Sequence, residues 1–150
     1  MAKEKKNPVN QASPEARKAA EGAVREKALK IAALALDKKA ADLVILEMKN
    51  LTSFTDYFVI CTGESSTQVS AISDNITDGM KKDGLRPAGI EGLSQARWVL
   101  LDYSDVIVHI FDRETRIYYD LEKLWLDAPR IEAPQAGPAS GNRGRKGPEN

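Results

Sequence analysis

The chain has very few of the residues from which proteins build metal sites, disulfides and thiol nucleophiles. Its 150 residues include one cysteine, Cys61, and one histidine, His109. A single cysteine excludes an internal disulfide, which fits a reducing, cytoplasmic location. A zinc site needs three or four ligands of these types, so we expect no metal site. Both residues lie within apolar runs, where a buried structural role is commoner than a Cys–His nucleophile pair.

Long hydrophobic runs are also absent. No apolar run approaches the roughly 18 residues that cross a bilayer. The first twenty residues are polar and lack the hydrophobic segment of a secretory signal. We therefore expect a cytoplasmic protein with no membrane partner.

The sequence offers little for catalysis. No glycine-rich phosphate loop with its lysine joins a strand to a helix. The turn at residues 63–65 does lie between a strand and a helix start, which leaves a nucleotide site there as an alternative. Asp42 and Glu47 point to opposite faces of one strand, so they do not form a paired-carboxylate metal site. We therefore expect no enzyme activity, no cofactor and no small-molecule substrate.

The net charge of zero hides an uneven distribution. Residues 1–20 carry a net charge of +3 and residues 133–150 a net charge of +2. Residues 21–132 contain 14 basic and 19 acidic side chains, a net charge of −5. An acidic body binds phosphate backbones poorly but suits a basic protein partner. The alternative is that this charge serves solubility alone.

The pattern of apolar residues predicts one α/β domain over residues 13–132. It is preceded by a flexible lead at 1–12 and followed by a disordered basic tail at 133–150, which is rich in Pro, Gly, Ala and Ser. Ser13, Pro14 and Glu15 form a helix-start signal. The predicted helices cover residues 13–39 and about 65–84, the second capped by Ser65, Ser66 or Thr67. The predicted strands cover residues 42–49, 56–62, 86–91, 97–102 and 105–111, with a strand end and a short helix over 117–128.

The clearest feature is a hairpin whose two faces differ in chemistry. Its strands are separated only by Tyr103 and Ser104, a two-residue loop that would place Asp102 opposite Asp105. Alternation then gives one aliphatic face, made of Val99, Leu101, Val106, Val108 and Ile110. The other face holds Trp98, Leu100, Asp102, Asp105, Ile107 and His109. We interpret this mixed face as a docking surface, on which a cationic partner relieves repulsion between the two carboxylates. The alternative places Trp98 and Ile107 beneath a helix, with both acids flanking a solvated turn.

An ordered set of short motifs resembles the Iojap-like ribosomal silencing factors over residues 23–130. The matching blocks are residues 55–60 (TDYFVI), 62–65 (TGES) with Gln68, 91–92 (EG), 98–103 (WVLLDY), 105–111 (DVIVHIF) and 118–125 (YYDLEKLW). Ser104 departs from the pattern, because the family usually has glycine at that position. This substitution puts only the geometry of the turn in doubt.

The resemblance implies a fold, a partner and a function. The fold is a mixed five-stranded sheet flanked by helices, related to nucleotidyltransferases but without their catalytic carboxylates. The partner is large-subunit ribosomal protein number fourteen, and binding it would sterically prevent the small subunit from joining. Such proteins slow translation when nutrients are scarce and are also connected with large-subunit biogenesis. Self-association off the ribosome is a further expectation, and the basic tail either contacts rRNA or stays solvated.

The resemblance also extends the docking surface beyond the hairpin. The additional contact residues that it implies are Arg116, Tyr118, Tyr119 and Glu122. Trp125 is a further candidate, with a place in the core as its alternative.

Overall fold

The computed structural model describes residues 13–134. The lead predicted over residues 1–12 and nearly all of the predicted basic tail lie outside the described residues, and the domain boundaries stay a prediction. Among the described residues, no helix is both long enough and apolar enough to cross a membrane.

Two long helices begin at the predicted caps. Helix α1 covers Pro14–Asp37, and the Ser13 hydroxyl accepts a hydrogen bond from the Ala16 amide at 3.1 Å. Helix α2 covers Ser66–Lys81, and the Ser65 hydroxyl accepts from the Gln68 amide at 3.1 Å. Each hydroxyl satisfies one of the amide groups that a helix start leaves without a partner. The chain then leaves α2 through Gly84, whose φ of +80° lies in the left-handed region.

The strands form one mixed sheet of six, in the order β3-β4-β5-β2-β1-β6. Their bounds are β1 Ala41–Glu47, β2 Tyr57–Gly63, β3 Gly89–Glu91, β4 Trp98–Asp102, β5 Val106–Asp112 and β6 Arg130–Ile131. Strands β2 and β5 pair in parallel, whereas all the other pairs are antiparallel. The α/β class and the mixed sheet flanked by helices are confirmed. The expected count of five strands was wrong, because β6 is only two residues long and leaves no periodic pattern to recognise.

Two further boundaries differ from the predictions. Strand β3 begins at Gly89 rather than at residue 86. The strand end predicted from residue 117 is absent, because the chain turns into helix directly after β5. Helix α3 covers Arg113–Tyr119 and α4 covers Leu121–Leu124. The Asp112 carboxylate accepts a hydrogen bond from the Thr115 amide at 2.8 Å and so starts α3.

The two faces of the sheet are covered unequally. Helices α1 and α2 pack on one face and bury a large aliphatic core, which contains the predicted set Val99, Leu101, Val106, Val108 and Ile110. The opposite face has a smaller cluster around Phe58, Ile60 and Phe111. Leu121, Trp125 and Ala128 of the C-terminal segment pack against this cluster. Trp98, Leu100 and Ile107 on this face are only half-buried, and the candidate site lies around them.

Candidate functional site: the open face of the β4–β5 hairpin

The register of the hairpin differs from the predicted one by two residues. Leu100 pairs with His109, and Asp102 pairs with Ile107. The Tyr103 amide donates to the Val106 carbonyl at 2.9 Å, so the turn consists of Ser104 and Asp105 rather than of Tyr103 and Ser104. The physical reason is the burial of Tyr103, which extends the paired strand by one residue. A shift of two residues preserves alternation, so both predicted faces keep their strand residues.

The predicted opposition of Asp102 and Asp105 was therefore wrong. The Asp105 carboxylate forms an ion pair with Lys27 of α1, with Nζ 2.6 Å from Oδ1, and so is directed toward the covered side of the sheet. The Asp102 carboxylate accepts from the Ser104 amide at 2.8 Å. The two carboxylates do not face each other, so there is no repulsion between them for a cationic partner to relieve. Of the two acids, only Asp102 lies on the uncovered side.

Trp98 is half-buried and contacts three aromatic side chains, those of His109, Phe111 and Tyr119. Its indole Nε1 donates to Nδ1 of His109 at 3.1 Å. Its ring stacks on Phe111 with 4.9 Å between centroids and meets the Tyr119 ring at 4.7 Å. A side chain with its rotamer fixed loses little conformational entropy when it enters an interface, which favours Trp98 as an anchor.

His109 supports Trp98 from below and does not itself reach the surface. Its side chain is only 4% exposed, and burial lowers the pKa of the imidazole to about 4. The ring is therefore neutral near pH 7. Because Nδ1 accepts the indole proton, Nε2 carries the hydrogen, and this atom is buried without a partner among the described residues. The structure therefore places His109 beneath Trp98 rather than at the surface.

Apolar side chains around Trp98 complete an uncovered surface. Leu100 and Ile107 are half-buried on the same side of the hairpin. Tyr118 is 79% exposed and Tyr119 is 50% exposed, and the two rings meet edge to face at 4.9 Å. We call this surface the open face and define it by Trp98, Leu100, Asp102, Ile107, Tyr118 and Tyr119. Exposed apolar patches of this kind mark interaction sites in soluble proteins.

Phe54 borders the open face, and the sequence reading missed it. It is 58% exposed, and its ring lies 6.3 Å from that of Phe58, which pairs with Ile107 across β2 and β5. The available signal was an aromatic residue in the loop between two strands. That signal was too weak to place the side chain, because loop geometry does not follow from periodicity.

Arg116 and Glu122 are brought together and form an ion pair with each other. Guanidinium nitrogens of Arg116 lie 3.0 Å from both carboxylate oxygens of Glu122. Arg116 also donates to the Asp42 carbonyl at 2.7 Å and to the Thr62 hydroxyl at 2.9 Å. Its side chain is 12% exposed. The pair thus fastens the helical segment α3–α4 to the ends of β1 and β2.

Trp125 packs toward the core, which was the alternative to a place on the docking surface. The side chain is half-buried and lies edge-on to Phe58, with 6.1 Å between centroids. It therefore covers the smaller cluster rather than standing free on the open face.

A cleft opens beside Trp98 on the open face. Its volume is about 560 Å³, and it is lined by Gly92, Gln95, Arg97, Trp98, Glu114, Thr115, Tyr118 and Tyr119. Gly92 has a φ of +83°, and a Cβ there would lie 2.0 Å from the Trp98 carbonyl oxygen. Only glycine therefore permits this approach of the two backbone segments.

The groups considered for catalysis are either buried or bound to neighbouring side chains. Cys61 is fully buried, and burial raises the pKa of its thiol to about 12, which suppresses the nucleophilic thiolate. At the turn at residues 63–65, the Glu64 amide already donates to Gln68 at 2.6 Å. Arg113 binds the carboxylates of both Glu64 and Asp42. Within residues 13–134, no group of three or more His, Cys, Asp or Glu side chains is arranged to hold a metal ion.

Comparison with known proteins identifies the family. The family model described as "Ribosomal silencing factor during starvation" matches residues 21–149. The ribosomal silencing factor of Bacillus subtilis is 49% identical over 102 residues, which is 67% of this chain and 86% of that protein. The chloroplastic protein Iojap of Zea mays is 36% identical over 107 residues, which is 71% of this chain and 46% of that protein.

A more distant relative and a solved structure agree with this match. The mouse protein named "Mitochondrial assembly of ribosomal large subunit protein 1" is 30% identical over 98 residues, which is 63% of this chain and 43% of that protein. A crystal structure from Bacillus halodurans is 44% identical with a TM-score of 0.61, over 69% of this chain and 95% of that chain. The Iojap resemblance is confirmed, and the family's role is regulatory rather than enzymatic. The chain belongs to the family of ribosomal silencing factors.

Proposed function

We propose that this chain represses translation in the cytoplasm by binding the large ribosomal subunit with its open face, through ribosomal protein number fourteen. The bound chain prevents the small subunit from joining, and this repression operates when nutrients are limiting. The observation that carries the proposal is the uncovered aromatic surface around Trp98, on a protein whose family is one of ribosomal silencing factors.

The chemistry of the open face suits a protein partner. Trp98 and the two tyrosines offer large rigid rings, which are among the residues that contribute most to protein interfaces. Asp102 and the net charge of −5 over residues 21–132 complement the basic surface that a ribosomal protein presents. Off the ribosome, the same surface favours self-association.

The mechanism needs no reaction. A chain that occupies the surface on which the small subunit docks competes with it for that surface. The fraction of large subunits blocked then depends on the concentration of the chain relative to its dissociation constant. Competition of this kind requires only surface residues, which is consistent with the burial of Cys61 and His109.

Sedimentation of purified subunits tests the proposal. The chain is expected to migrate with free large subunits and to reduce the yield of joined ribosomes. Trp98→Ala is expected to weaken binding by roughly 30-fold or more, the scale of an interface hot spot. Leu85→Ala removes a side chain that is 36% exposed outside the open face, and should bind normally. Normal binding by folded Trp98→Ala, or undiminished joining in the presence of the chain, would refute the proposal.

A second candidate function is participation in large-subunit assembly. It is favoured by the printed name of the mouse relative, which refers to mitochondrial assembly of the ribosomal large subunit. Depletion of the chain would then lead to accumulation of large-subunit precursors during rapid growth, when silencing is not required. Normal precursor levels under that condition would restrict the function to silencing.

A further inference from the structure

The cleft beside Trp98 has aromatic walls that form one continuous group. The Trp98 ring meets Tyr119 at 4.7 Å between centroids, and Tyr119 meets Tyr118 at 4.9 Å. Tyr118 is the most exposed of the three rings, at 79%. Its electron-rich ring is therefore accessible to a ligand in the cleft.

Two charged side chains, Glu114 and Arg97, line the same cleft. Both are exposed, and neither forms an ion pair with another residue of the described range 13–134. The other arginines of this end of the fold, Arg113, Arg116 and Arg130, are all engaged by carboxylates. Glu114 thus contributes a carboxylate to the lining of an aromatic cleft, and no described residue neutralises its charge.

We propose, building on the function proposed above, that this cleft receives an arginine side chain of the ribosomal protein partner. The guanidinium lies against the Tyr118 ring and pairs with Glu114. Aromatic faces attract cations, and a planar guanidinium stacks on them better than an ammonium group does. The surrounding body, with a net charge of −5 over residues 21–132, draws in a cation and disfavours a phosphate.

Arg97 determines where in the cleft the cation lies. Its guanidinium repels a second one, so the incoming side chain is confined to the Glu114 and Tyr118 side. The cleft is continuous with the open face through Trp98, which lines both. One docking event therefore places the apolar anchor and fills the cleft together.

Single substitutions at three residues that line the cleft test the assignment. Affinity for purified large subunits is measured at low and moderate salt for Glu114→Gln, Arg97→Gln and Tyr118→Leu, with Tyr118→Phe as the ring-preserving control. Glu114→Gln and Tyr118→Leu are expected to weaken binding by about 3- to 10-fold. The Glu114→Gln effect should diminish with salt, since screening weakens an exposed pair. Arg97→Gln should tighten binding, because it removes the charge that repels the incoming guanidinium, and Tyr118→Phe, which keeps the ring, should lose less affinity than Tyr118→Leu.

The outcomes separate this inference from the function on which it rests. Weaker binding of Arg97→Gln with normal binding of Glu114→Gln would overturn the inference and indicate an anionic ligand such as an rRNA phosphate. Normal binding by both Glu114→Gln and Tyr118→Leu, with Trp98→Ala impaired, would overturn the inference and leave the proposed function intact. Failure of the unchanged chain to bind large subunits would overturn both. The three substituted positions, Arg97, Glu114 and Tyr118, are exposed, so thermal unfolding should report an intact fold for each variant.

Discussion

The indole Nε1 of Trp98 donates a hydrogen bond to Nδ1 of His109 at 3.1 Å, between adjacent strands of one hairpin. Because His109 is buried and neutral, it can accept this bond without carrying a charge into the apolar cluster. The histidine thus fixes the direction of the ring that we propose as the anchor. We therefore propose His109 as a positioning residue that acts through Trp98.

His109→Phe should weaken binding to the large subunit while leaving the fold intact. Phenylalanine fills the same buried space but offers no acceptor to the indole, so Trp98 loses its fixed orientation. We expect roughly 2- to 10-fold weaker binding, the equivalent of a hydrogen bond of about 1 kcal/mol. The loss in unfolding free energy should be smaller than 1 kcal/mol, in part because the substitution also removes the unpartnered Nε2–H group. The measurements are subunit affinity and urea unfolding.

The Trp98→Ala background provides the control for His109→Phe. If His109 acts only through the indole, adding His109→Phe to Trp98→Ala should cause no further loss of affinity. An equal loss in both backgrounds would assign His109 a role independent of Trp98.

Unfolding free energy should fall as the pH is lowered from about 6.5 to about 4. Burial lowers the pKa of His109 from 6.5 to about 4, so in this window the unfolded chain binds a proton that the folded chain does not. The part of the unfolding free energy that arises from keeping His109 neutral is therefore fully present above pH 6.5. It is lost as the pH falls toward 4. The loss should be about 3 kcal/mol in total, from about 1.4 kcal/mol per pKa unit.

Comparison with His109→Phe isolates this titration. Asp56 shifts in the opposite sense, because its burial and the nearby Asp105 carboxylate raise its pKa and favour the protonated folded chain. The difference in unfolding free energy between the two proteins cancels that contribution. A constant difference between pH 7 and pH 4 would show that His109 is not buried as a neutral ring.

The two faces of the hairpin could be predicted from sequence because alternation depends only on whether positions are odd or even. A register error of two residues left both faces intact, as the pairing of Leu100 with His109 shows. The register itself depends on Tyr103, which is buried in the core under α1 and whose carbonyl accepts a hydrogen bond from Lys27 of that helix. Local patterns contain no information about that contact.

Pairings between distant residues could not be predicted at all. Lys27 binds Asp105 from 78 positions away, and this contact directs a carboxylate that the local pattern assigned to the open face. The resemblance implied Arg116 as a contact residue, and in the structure its guanidinium also binds the Asp42 carbonyl, 74 positions away. Charged side chains take their direction from partners that are known only once the fold is known.

Glu122→Gln should destabilise the fold by about 1–3 kcal/mol. The substitution leaves the poorly exposed Arg116 guanidinium without its counter-charge, and removing one partner of a desolvated pair is costly. The matched control is Asp83→Asn, which breaks the exposed pair between Asp83 and Lys30 and should cost less than about 0.5 kcal/mol. Urea unfolding measures both. Equal losses in the two variants would mean that Arg116 is better solvated than its contacts indicate.

Ser104→Gly should stabilise the hairpin turn. Ser104 adopts a φ of +72°, in the left-handed region where a Cβ costs about 1–2 kcal/mol. Glycine removes that cost but makes the unfolded chain more flexible, at about 0.5–1 kcal/mol. We therefore expect a net gain of about 0.5–1 kcal/mol in unfolding free energy, with the hydrogen bond from the residue 104 amide to Asp102 retained.

Ser104→Ala separates the backbone effect from the loss of the hydroxyl. Alanine retains the Cβ and therefore the strain, so it should give no gain. Affinity for the large subunit should be unchanged in both variants, because residue 104 lies in the turn rather than on the open face. A gain with alanine equal to that with glycine would attribute the effect to the serine hydroxyl and contradict the strain at this φ.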